Sequence, residues 1–128
     1  MKNTTAPIYQ QHEENKAWIN SLHFYKEDIV IFEKRLEEIA GKNSNKDMLA
    51  EVEHFQNQFI IQRNNIDEIM HAVKVNEQQL INEINSNPIA VDHRKTADHL
   101  VEKDLVTSFE KNFNDLRSEY NRFSAKWM

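Results

Sequence analysis

The sequence predicts an all-α fold: an elongated antiparallel up-down-up three-helix bundle with coiled-coil-like heptad packing. Three observations predict it. The chain of 128 residues has one glycine and two prolines, too few turn formers for an all-β protein or for repeated βα units. Its apolar residues recur at alternating steps of three and four, which lays a single stripe along a helix. Gly41 and Pro88 divide the chain beyond Pro7 into three long runs, predicted as helices over about 6–40, 45–86 and 94–127 of one domain, 1–128.

The first run has Thr4 or Thr5 as its N-cap and Pro7 in the first turn, where a missing N–H costs nothing. Its stripe is Trp18, Leu22, Tyr25, Ile29, Phe32, Leu36 and Ile39, the a/d pattern of a heptad repeat. Ile29–Phe32 is β-branched enough to suggest a strand, but the heptads on either side overrule it. Ala40–Gly41 reads as a C-cap.

Ser44 and Asp47 have the spacing of a capping box and open the second run. Met48, Val52, Phe55, Phe59, Ile66, Ile69, Val73 and Leu80 keep one phase, with Gln62 and Asn76 as polar guests. The third run starts between Asp92 and Thr96 and carries Phe109, Phe113, Leu116, Tyr120, Phe123 and Trp127. Upstream, Ala97, Val101, Leu105 and Phe109 recur every four residues, which predicts a local change of supercoil. Short connections near Gly41 and Pro88 make sequential helices antiparallel, although chains swapping helices into a larger bundle would show the same pattern.

Composition narrows the function. The net charge of −5 gives no positive field for phosphate backbones or anionic lipid, so neither nucleic acid nor a membrane is expected as a partner. The segment Met1–Pro7 lacks the apolar core of a signal peptide, and the chain has no cysteine, so a cytoplasmic location is expected. A single glycine precludes a phosphate-cradling glycine-rich loop, and no serine sits in a nucleophile-elbow motif.

Six histidines raise the question of metal. Glu51-x-x-His54 and Glu68-x-x-His71 have the spacing of bundle-core metal ligands, but they sit about 25 Å apart on one helix and off its buried seam. They are expected to face solvent. His12 and His23 have no partner evident in the sequence. No cofactor is expected, because the aromatic residues fill a and d positions and leave no hollow.

Two constellations remain. Loop positions bring Tyr25, Gln62 and Tyr120 to one level, predicting a buried polar layer in which the amide satisfies phenolic hydroxyls. Val30, Ile31, Ile60 and Ile61 are apolar at b and c positions, predicting an interface with another molecule, either in a homodimer or with a helical protein partner. The expected protein is therefore a non-catalytic bundle acting by self-association or protein–protein interaction. The alternative is a small metal- or ligand-binding bundle, with oxidoreductase as the enzyme class it would belong to.

Overall fold

The computed structural model describes the backbone of residues 6–86 and 93–127, and the side chains of residues 9–83, 85 and 99–127. The chain forms three α-helices, α1 (Ala6–Lys42), α2 (Lys46–Ser86) and α3 (His93–Trp127), around a shared apolar core. At 1.5 Å per residue each is about 50–60 Å long. Among the described residues, no helix is long and apolar enough to cross a membrane. The N-cap expected at Thr4 or Thr5 lies outside the described residues, as do the side chains of Pro7, Pro88 and Ala97.

Side-chain partners give the directions of the helices. Going up α1, His12, Asn15, Lys26 and Glu33 meet Glu77, Asn76, Asp67 and Arg63 in descending order on α2, so this pair is antiparallel. Glu14, Tyr25 and Phe32 meet His99, Glu110 and Tyr120 in ascending order on α3, so α1 and α3 run the same way. Up-down-up order results.

Periodicity and burial agree closely in α1 and α2. Leu22, Ile29, Leu36 and Ile39 on α1, and Met48, Val52, Phe55, Phe59, Ile66, Val73 and Leu80 on α2, are buried. Phe59 and Tyr120, both fully buried, pack edge to face at 5.5 Å, and Tyr120 also contacts Phe32 at 4.6 Å. Fully burying one such side chain is worth about 1.5–3 kcal/mol, with about 0.5–1.5 kcal/mol more for a well-oriented ring pair.

The helix ends depart from expectation. Gly41 has no positive φ, and α1 continues through it to Lys42. No left-handed cap forms there, because the Asn43 side-chain amide donates to the Ile39 carbonyl at 3.2 Å and satisfies one of the helix's terminal acceptors. At the start of α2 the N-cap is Asn45 and not Ser44. Its Oδ1 accepts from the Met48 N–H at 3.0 Å, and its carbonyl accepts from the Leu49 N–H.

The largest difference is in α3. Val101 is 59% exposed and Leu105 44%, whereas Val106 is 2% exposed and His99 4%. Buried or half-buried positions run His99, Glu102, Val106, Phe109, Phe113, Leu116, Tyr120 and Phe123, in unbroken alternation of three and four. The expected four-residue recurrence through Val101 and Leu105 is thus not the seam. The phase set by Phe109 onward continues backward through polar residues, which places two apolar side chains on an outer face.

Candidate functional site

The seam turns polar at the end of the bundle that joins α2 to α3. Gln11 and Asn15 on α1, Asn76 on α2 and His99 on α3 are all buried. Asn15, fully buried, donates its amide to Asn76 Oδ1 at 3.3 Å and to Glu77 Oε1 at 2.9 Å. Glu77 also receives His12 Nδ1. On the other side of α1, His99 Nε2 lies 2.7 Å from Glu14 Oε1, and its ring stacks on Trp18 at 4.7 Å. Asn15 Oδ1 and His99 Nδ1 are buried and find no hydrogen-bond partner among the described residues.

Sequence reasoning identified Asn76 as a polar guest but missed Gln11, Asn15 and His99. The signal was the heptad phase itself, carried past the last apolar residue. The two histidine–carboxylate pairs that sequence spacing did not reveal, His12–Glu77 and His99–Glu14, flank Asn15 on different sides. Such pairs hold rings and carboxylates in place.

The polar layer expected of Tyr25, Gln62 and Tyr120 is not hydrogen-bonded together. The Tyr25 hydroxyl donates to Glu110 at 2.9 Å, and the Tyr120 hydroxyl donates to the Phe32 carbonyl at 3.3 Å. Tyr25 packs on Phe113 at 4.9 Å, whereas Tyr120 is level with Phe32, seven residues further along α1 or about 10 Å. Ring packing, not loop position, sets the register between α1 and α3. Gln62 is half-buried, and its Oε1 has no partner among the described residues. Burial raises the pKa of both tyrosines above the ordinary value of 10.0; the bond to Glu110 adds to the shift at Tyr25, and at Tyr120 Arg35 and the Ser124 hydroxyl oppose it.

The four residues expected at an interface are all exposed. Neighbouring residues on a helix are set about 100° apart, so Val30 and Ile31 diverge, as do Ile60 and Ile61. Val30 lies a turn from Lys26 and Glu33, and Ile60 a turn from Arg63, so both border the row of ion pairs Lys26–Asp67 and Glu33–Arg63 between α1 and α2. Ile31 lies a turn from Asp28, which pairs with Arg117 at 2.6 Å, and two turns from exposed Phe24. Ile61 falls between Gln58 and Asn65 on the α2 flank nearest α3.

That last flank belongs to a long groove. Between α2 and α3 it runs from Glu51 and Lys126 at one end, past Gln62 and Asn112, to Gln79 and Val101 at the other. Along α2 this is about 42 Å. Core side chains form its floor: Phe55 and Phe123, then Leu116, then Phe109 and Ile69. The exposed side chains of Ile61, Val75, Val101 and Leu105 stand along it. Bonded pairs span both α1 grooves, with Lys26–Asp67 and Glu33–Arg63 on one side and Glu110–Tyr25 and Asp28–Arg117 on the other. Across the α2–α3 groove, Trp127 Nε1 donates to Glu51 Oε2 at its far end.

Glu51, His54, Glu68 and His71 are exposed, and the two Glu-x-x-His pairs do not approach one another. Among the described residues, no group of three or more His, Asp or Glu side chains is arranged to hold a metal ion. Comparison with protein-family models, with curated proteins and with solved structures finds no match for this chain.

Proposed function

We propose that this is a non-catalytic cytoplasmic helical-bundle protein that acts by association, with a helical protein partner or with a second copy of itself. One observation carries the reading: Ile61, Val75, Val101 and Leu105 expose apolar surface beside a groove floored by the core. Scattered exposed aliphatic residues are ordinary on any protein, but a row of them bordering an open groove is the surface on which an amphipathic helix buries its apolar face. The net charge of −5 argues against nucleic acid or anionic membrane as the partner.

A second reading, a two-fold homodimer, is favoured by Val30 and Ile60. They stand on either side of the Glu33–Arg63 pair, in a row of two ion pairs whose charges alternate, a surface able to complement its own copy. Light scattering tests both readings. Wild type at twice the chain mass of 15.3 kDa, reduced to folded monomer by Val30→Glu/Ile60→Glu, supports the homodimer. A monomer at every concentration removes it and leaves the partner helix.

A further inference from the structure

We infer that the α2–α3 groove receives one amphipathic helix whose apolar stripe is flanked by lysine or arginine, completing a four-helix bundle. The inference rests on the reading that the protein works by association, and it specifies where and with what chemistry.

Shape points to a helix. Each groove beside α1 is crossed by bonded pairs, whereas between His54 and Ile69, about 22 Å along α2, the groove between α2 and α3 lies open to its aromatic and aliphatic floor. A helix lying in it would contact Ile61 and Val75 from one side and Val101 and Leu105 from the other. Its side chains would also cover Gln62, whose buried Oε1 lacks a donor among the described residues.

Charge selects the occupant. Glu68, Asp115 and Glu119 line the groove from its middle outward, all exposed, while Arg122 and Lys126 are confined to one end. A second copy using the same groove about a two-fold axis would set these carboxylates against their own kind, in a chain already at −5. A helix with basic flanks meets them with opposite charge, in the manner of the e and g positions of a coiled coil.

The probe is a fluorescein-labelled peptide of three heptads, with leucine at a and d and lysine at e and g. Two twins accompany it, one with glutamate at e and g, the other of identical composition in shuffled order. Anisotropy at physiological salt should show the lysine-flanked stripe binding at least about tenfold more tightly than either twin. Val101→Glu/Leu105→Glu, both exposed in the folded chain, should weaken it by at least about tenfold, and Phe24→Glu, exposed on α1, should leave it unchanged. Glu68→Lys/Glu119→Lys should reverse the preference between the lysine and glutamate peptides, a readout independent of whether the first variant folds. Equal binding of the shuffled peptide, or binding indifferent to the groove variants, overturns the inference. Light scattering then separates the two levels: a wild-type dimer that persists leaves association standing as self-assembly, and a monomer removes the homodimer and leaves only a partner that the groove does not receive. A dimer broken by Val101→Glu/Leu105→Glu assigns the groove to a second copy and overturns the basic helix.

Discussion

The ring of His99 lies against that of Trp18, with centroids 4.7 Å apart and planes 23° from parallel, while its Nε2 reaches Glu14 at 2.7 Å. This buried contact ties α3 to α1 near the end where the seam turns polar. Replacing His99 with alanine removes the stack and the bond and leaves a void in a packed site. His99→Ala should lower unfolding stability by about 2 kcal/mol or more. In a Trp127→Phe background, Trp18 emission should change in parallel. An unaltered urea midpoint with unaltered emission would contradict this packing.

Asn15 offers a sharper test of the polar cluster, because its amide donates to both Asn76 and Glu77 from a fully buried position. Asn15→Asp keeps the shape, removes both donors and sets a carboxylate beside Glu77. The expected loss is about 3 kcal/mol by urea denaturation, easing at low pH as the carboxyl takes up a proton. A near-neutral result would mean that these bonds are not formed in solution.

Alkaline stability should depend on two tyrosines. Burial raises the folded-state pKa of Tyr25 and Tyr120 above 10.0, so the folded chain holds these protons more tightly than the unfolded one. Their contribution is complete below about pH 10 and is lost as pH rises through the higher folded values. Between pH 9 and 11 the wild-type Tm should therefore fall more steeply than that of Tyr25→Phe/Tyr120→Phe. Parallel curves would show that burial does not perturb these hydroxyls.

Gly41 marks an opportunity to stabilise the chain. It lies inside α1 without a positive φ, and an added Cβ would meet nothing within 4 Å. Gly41→Ala should raise stability by about 0.5–1 kcal/mol, through lower unfolded-chain entropy and better helix propensity. Destabilisation would restore the left-handed cap that Ala40–Gly41 suggests in the sequence.

The core seams of α1 and α2 were legible because apolar residues occupy nearly every a and d position from Trp18 to Ile39 and from Met48 to Leu80. Hydropathy failed where polar residues hold those positions. At Gln11, Asn15 and His99 only phase identifies the seam, and in α3 Val101 and Leu105 attracted the pattern away from it. Cap residues were misassigned because neighbouring Ser44 and Asn45 both have capping chemistry, and the backbone chooses between them. The groove was not legible at all. Periodicity tells which face of a helix is apolar, whereas an open cleft depends on how three helices share their core.

The register of α3 underlies both the polar cluster and the open groove, and the absence of cysteine makes it directly measurable. Single variants Val101→Cys, Leu105→Cys and Val106→Cys can be alkylated at dilute concentration, with and without urea. Cysteines at 101 and 105 should react within about tenfold of the unfolded rate, and the one at 106 should be protected at least about 100-fold until the chain unfolds. A protected Leu105→Cys beside a freely reactive Val106→Cys would rotate α3, close the groove and contradict the account.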